Sequence, residues 1–162
     1  MIQVYTLTFL SPLGFIKING TENHITAVNF TEENDPHTAE LPEILLQCKM
    51  QLQEYFAGKR KTFELTLAPD GTEFQKKVWQ QLLTIQYGNT SSYAQVATQI
   101  GDIKGIRAVG AANGRNPIAV IIPCHRVIGA DGKLVGYAGE LWRKQWLLEL
   151  EEKKAKGILR LF

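Results

Sequence analysis

Between residues 67 and 71 the hydrophobic pattern of this chain changes period, and that change limits its fold more than any other feature. Before it, VYTLTFLSPLGFIKING and HITAVNF alternate apolar and polar residues around Ser-Pro-Leu-Gly and GTEN turns, a strand pattern. The polar stretch TEENDPHTAE then reads as a loop. In LPEILLQCKMQLQEYFAG the period becomes helical: Leu41, Leu45, Cys48, Leu52 and Tyr55 or Phe56 recur at steps of three and four, and Gly58 ends the run. A short strand, TFELTL, leads into the connector APDGT. Beyond it the chain reads as short helices, so we expect two domains, residues 1–68 and 69–162, in an α+β protein.

The second part begins with Thr72 as the N-cap of EFQKKVWQQLLTI, whose Phe74, Val78, Leu82 and Ile85 share a face, with Trp79 beside them as a core residue. AQVATQIGD and KGIRAVGAANGRN, separated by a turn at Gly101–Lys104, have a helix-turn-helix outline. The second of these helices is built from small residues, among them Gly110 and Ala111. Such a helix can approach another surface closely, either a neighbouring helix or a ligand, and the spacing alone does not choose between them. PIAVII reads as a buried strand that delivers Pro-Cys-His-Arg at its end, and VIGADGKLVGY as a hairpin or wing turning at Asp131-Gly132. ELWRKQWLLELEEKK reads as an amphipathic helix, with Lys and Arg in the tail.

With 162 residues and 44% apolar content the chain can bury real cores. It contains no apolar run near the length of about 20 residues needed to span a membrane, and MIQVYTLTF lacks a signal peptide's basic flank. A cytoplasmic protein, or a nuclear one in a eukaryote, is expected, with no membrane partner. Two cysteines make no disulfide scaffold, and the spacing of Cys48, Cys124, His24, His37 and His125 matches no metal motif, so no metal is expected. Cys48 falls on an apolar helical stripe, where a thiol packs as a small hydrophobe. Charge is unevenly divided. Residues 1–68 hold five Lys and Arg against eight Asp and Glu, whereas residues 69–162 hold thirteen against eight. The basic half suits an anionic partner.

Cys124 is the candidate nucleophile. A thiol reacts as thiolate, so it needs a base or a positive field, and His125 and Arg126 supply one of each next to it. In an extended chain adjacent side chains point to opposite faces, so the backbone must bend at Pro123-Cys124 or a water must bridge thiol and imidazole. An orienting carboxylate is also required, and spacing does not select one from the sixteen acidic residues.

The longer string NPIAVIIPCHRVIGADGKLVGY resembles the active-site segment of the O6-alkylguanine-DNA alkyltransferases, also called methylated-DNA–protein-cysteine methyltransferases. The resemblance runs through residues 72–152 and takes in SSYAQVA, GIRAVGAANGRNP, PCHRV and LWRKQWLLELE; residues 1–68 are similar to the family's variable companion domain. It implies a small sheet-plus-helix, RNase H-like domain, followed by a helix-turn-helix, winged-helix-like domain carrying the cysteine. It also implies stoichiometric repair: Cys124 takes the alkyl group from O6-alkylguanine, with O4-alkylthymine as a further substrate, and one chain is consumed per lesion without a cofactor or external methyl donor. His125 would draw the thiol proton through a water, Glu151 would polarise His125, Asn116 would brace the active-site turn, and Tyr93 would donate to the departing guanine. Tyr137 and Val127 would contact the base. Arg107 would fill the stack vacated by a flipped base, from a helix in the minor groove of double-stranded DNA, with Gly110, Ala111 and Arg115 also facing DNA. A monomer is implied. The chain departs from the pattern at Ala138, where some members carry a serine, and at Glu140, where several have a small residue and where a glutamate would narrow or charge the pocket rim.

A non-enzymatic lesion binder of the same architecture is the alternative, but it would replace the cysteine. A Cys-His hydrolase would need a local signature that is absent, and a thioether on Cys124 could not be hydrolysed. A helix-turn-helix regulator with an incidental cysteine is a further alternative; family members that double as regulators do so through an extra metal-binding domain.

Overall fold

The computed structural model describes residues 2–35, 40–134, 137, 139–157, and divides into two compact units: Met1–Asp70 with Pro117–Ala119, and Gly71–Asn116 with Val120–Phe162. Ala138 and part of the expected wing lie outside the described residues.

In the first unit the alternating segments become three antiparallel strands, β1 (Tyr5–Ser11), β2 (Gly14–Gly20) and β3 (Ile25–Thr31), in the order β1-β2-β3. Leu7, Phe9, Ile16, Ile18, Ile25 and Val28 are buried. Helix α1 (Glu43–Phe56) presents Leu45, Cys48, Leu52, Tyr55 and Phe56 to the core. Gly58, at a φ of 74°, ends the run in a conformation that suits glycine. Burial pushes the Cys48 thiol up to about 12, so it stays protonated and packs as a hydrophobe.

Two expected strands are shorter than their sequences suggest. TFELTL contributes a single parallel bridge, Leu67 to Ile25, and PIAVII a single bridge, Ile118 to Val28. Val28 donates to the Pro117 carbonyl at 2.9 Å, and Ala119 donates to the Val28 carbonyl at 3.0 Å. Val120 then takes a φ of 70°, a left-handed conformation that costs a β-branched residue about 1–3 kcal/mol. This reversal ends strand pairing before Cys124.

The second unit holds α2 (Glu73–Leu82), α3 (Tyr93–Gln99), α4 (Ile106–Gly114) and α5 (Leu141–Lys156). Thr72 caps α2 and Ser92 caps α3, each in a reciprocal box with a glutamine three residues on, Gln75 and Gln95. Val78, Leu82 and Ile85 are buried as expected, whereas Phe74 is only half-buried. Trp79 is buried, and its indole donates to the Ala112 carbonyl at 2.8 Å, tying α2 to α4. The turn between α3 and α4 completes the helix-turn-helix. After Cys124 the expected hairpin is, among the described residues, a turn closed by Gly129 donating to the Lys133 carbonyl at 2.9 Å, with Gly132 at a φ of 83°. No helix among the described residues is long and apolar enough to cross a membrane.

Candidate active site

Strands β4 (Ser91–Ser92) and β5 (Val127–Ile128) pair in parallel, Ser91 opposite Val127. That short ladder sets the first turn of α3, and hence Tyr93, beside the cysteine segment. Cys124–Arg126 is a 3-10 turn rather than an extended end, which supplies the bend that adjacency of Cys124 and His125 requires. The amide of Cys124 donates to the Ile122 carbonyl at 2.8 Å, and Asn116 Nδ2 donates to the same carbonyl at 2.7 Å. The Asn116 side chain also hydrogen-bonds the thiol. Asn113, from the buried face of α4, reaches the Cys124 carbonyl at 3.4 Å.

Residues 144, 147 and 151 form one buried stripe on α5, at steps of three and four. Leu147 packs there, and Glu151 extends to His125, with Oε2 2.7 Å from Nε2. Both side chains are almost wholly buried, at 0% and 1% exposure. The partners decide the tautomer. Glu151 is held well below the usual carboxylate range by His125 and Arg126, against the opposing effect of burial. An ionised carboxylate only accepts, so Nε2 carries the proton and Nδ1 is the acceptor. Nδ1 is buried and has no hydrogen-bond partner among the described residues.

Burial pushes the Cys124 thiol up, while Asn116 and the Lys144 ammonium act the other way. Burial lowers His125, partly opposed by Glu151, so the imidazole is neutral at rest. The resting pair is therefore a thiol and a neutral base. Burial raises the phenols of Tyr93 and Tyr137, and both stand near enough to Cys124 for a thiolate to oppose their ionisation further. Each stays a donor. Val127 is fully buried behind the turn.

One residue departs from its sequence reading. Arg126 does not face the thiol: Nε donates to Glu151 Oε1 at 2.8 Å and Nη2 to Oε2 at 3.0 Å. Lys144, in the first turn of α5, has no role assigned to it from the sequence. It is wholly buried, its Nζ donates to the Val127 carbonyl at 2.6 Å, and burial lowers it to about 8. A lysine three residues before an apolar position gave the only sequence signal, a place on the Leu147 stripe. Glu140 sits at the N-cap of α5 with a φ of 74°, a backbone conformation that favours glycine. Its carboxylate accepts from Trp142 Nε1 at 2.9 Å.

Cys124, His125, Glu151, Asn116, Tyr93, Tyr137 and Val127 thus come together. Arg107, Ala111 and Arg115 do not join them; they are exposed on the outer side of α4, opposite buried Val109, Ala112 and Asn113. Gly110 is half-buried, with the Tyr93 ring at ordinary contact distance from where its Cβ would stand. A Cβ at Gly114 would meet nothing. No internal packing therefore demands a small residue at Ala111 or Gly114. A separate cavity of about 550 Å³ borders Glu151, Gly88, Ile128, Leu134 and Leu148, but Cys124, Tyr93 and Tyr137 do not line it.

The fold and site define a two-part α+β protein whose helix-turn-helix unit carries a buried cysteine backed by a histidine and a carboxylate. Comparison with known proteins narrows that class. Residues 73–153 match the DNA-binding domain of 6-O-methylguanine DNA methyltransferase, and residues 4–69 match its ribonuclease-like domain. A methylated-DNA–protein-cysteine methyltransferase of Methanosarcina acetivorans is 49% identical over 91% of this chain and 98% of its own length. One from Mycobacterium tuberculosis is 45% identical over 99% of both chains. The crystal structure of the Mycobacterium tuberculosis O6-methylguanine methyltransferase superposes with a TM-score of 0.85 at 44% identity, covering 96% of this chain and 97% of that one. The Mycobacterium tuberculosis OGT in complex with DNA gives 0.84 at 46% identity, covering 92% and 93%. The chain belongs to the 6-O-methylguanine DNA methyltransferase family: it is a DNA-binding repair protein that transfers an alkyl group to cysteine.

Proposed function

We propose that Cys124 is the acceptor and that each chain removes one alkyl group from O6-alkylguanine in double-stranded DNA. The observation that carries this is the His125 imidazole, fixed by Glu151 through Nε2 with Nδ1 left as a buried acceptor next to the thiol residue. The thiol proton passes to Nδ1 through a water. The sulfur attacks the alkyl carbon, an S–C bond forms, and the C–O6 bond breaks with its electron pair going to the guanine. Tyr93 donates to a ring nitrogen of the base as that charge develops. Imidazolium formed at His125 is stabilised by the carboxylate behind it. The product thioether is stable, so the chain is spent.

A base inside a duplex cannot reach a thiol that is 6% exposed, so it must be flipped out. The outer side of α4 supports this reading: Ala111 and Gly114 are small without internal cause, and Arg107 and Arg115 flank them. A helix with that face can enter the minor groove, Arg107 filling the vacated stack, while Tyr137 and Val127 hold the base. The protein acts as a monomer in this scheme. Mixing protein with excess duplex carrying one O6-methylguanine, then counting restored guanines, tests it. One lesion repaired per chain, then arrest, is expected. Continued turnover would contradict single use, and binding without repair would favour a lesion recogniser.

A further inference from the structure

We propose that Arg126 is a positioning residue for the transfer: its guanidinium clamps both oxygens of Glu151 and so holds His125 with Nδ1 turned to the thiol side. The inference rests on the alkyl-transfer reading for its rate measurement, while its spectroscopic measurement does not.

Glu151 receives donors on both oxygens. Oε1 takes Arg126 Nε at 2.8 Å and the Gly88 amide at 3.4 Å; Oε2 takes Arg126 Nη2 at 3.0 Å and His125 Nε2 at 2.7 Å. The guanidinium is fixed in turn. Its Nη1 donates to the Ile85 carbonyl at 2.6 Å, and its carbon lies 5.7 Å from the centre of the Tyr87 ring. A planar fork anchored at three places sets the plane of the carboxylate, and that plane sets where Oε2 meets the imidazole. Lysine carries the charge but lacks the two parallel donors. Removing the fork frees Glu151 to rotate, and the imidazole loses its reason to keep one tautomer.

Charge matters as well as direction. The groups facing His125 are Glu151 and Lys144 from α5, and Cys124 and Arg126 from its own turn, with Tyr87 stacked behind Arg126. Arg126 and Lys144 oppose imidazolium, and Glu151 favours it. Taking away the Arg126 charge therefore makes His125 easier to protonate. Because transfer needs the neutral base, the acid limb of the rate should move to higher pH.

The test combines two measurements on wild type, R126M and R126K. Nitrogen-15 NMR of labelled histidine reads the His125 tautomer directly, without DNA. Single-turnover transfer to protein from an O6-methylguanine duplex is then followed against pH. We expect an Nε2–H imidazole in wild type, loss of that single signature in R126M, and a fall in its neutral-pH rate of about tenfold or more, with the acid limb moved up. R126K should keep the limb near its wild-type position and still transfer several-fold more slowly. An R126M protein with an unchanged histidine spectrum and an unmoved limb overturns the proposal, however slow it is. If R126M does not fold, R126K decides: wild-type rate and spectrum together overturn it. An altered R126M spectrum beside a wild type that repairs nothing would strike the alkyl-transfer reading and leave the clamp standing.

Discussion

Lys144 donates its ammonium to the carbonyl oxygen of Val127 at 2.6 Å, from a position on α5 with no exposure to solvent. A buried ammonium interacting with Cys124 stabilises a thiolate as it forms. Lys144→Met should slow single-turnover transfer by about tenfold, the equivalent of one pKa step in the thiol. It should also change stability with pH. Burial depresses Lys144 from 10.5 to about 8, so the unfolded chain binds more protons between those values. Wild-type stability gains a contribution as pH rises through that window and loses it as pH falls back through about 8. In urea unfolding at pH 7.5 and 10, this alkaline gain should be missing from the variant.

Glu151, unlike an unperturbed surface carboxylate, ties stability to pH. His125 and Arg126 hold it far below its unfolded value of 4.5, so its contribution is complete above that value and disappears as pH falls toward the strongly acidic range. Glu151→Gln leaves the Arg126 guanidinium buried without its counter-charge, at a cost of about 3–5 kcal/mol. Transfer should fall about a hundredfold or more as the base loses its support. Chemical denaturation and single-turnover assays on the same preparation check both.

Gly88 meets α5 where no other residue fits. Its φ is 84°, and a Cβ there would lie 2.5 Å from the Ala155 Cβ. Gly88→Ala should destabilise by about 2 kcal/mol or more through strain and overlap. Because the Gly88 amide also faces Glu151, transfer should slow at temperatures where the variant remains folded.

Arg107 is exposed on α4, so Arg107→Ala should leave the melting temperature within experimental scatter. Transfer from duplex DNA should fall about tenfold or more, since a base must still leave the stack, at a cost of a few kcal/mol. Reaction with the free modified base, which needs no flipping, should be unchanged. An equal loss on both substrates would remove Arg107 from base extrusion.

Residues whose chemistry is local were legible in the sequence. The change of period near residue 70, the apolar stripe of α1 and the Thr72 cap all follow from side chains acting on their own turn. Cys124 and His125 announced a nucleophile by adjacency, but Glu151 became visible only through family resemblance, because a glutamate among Glu149 and Glu152 looks solvated. The burial of Arg126 and Lys144 is hidden for the same reason. Charged residues are usually exposed, and their burial depends on partners far along the chain: Glu151 for one, the Val127 carbonyl for the other. PIAVII looked like a strand because β-branched residues favour one. Pairing lasts only as far as Ala119 because Val120 turns into the left-handed region, a tertiary constraint with no local marker.

The central claim is that Cys124, and no other group, takes the alkyl carbon. Tandem mass spectrometry of peptides from protein treated with excess O6-methylguanine duplex tests it most directly, with Cys124→Ser treated alongside. One methyl group on Cys124, none on Cys48, and no methylated peptide from the variant is the expected result. Methyl on Cys48 or another side chain, or continued methylation of Cys124→Ser, would contradict it.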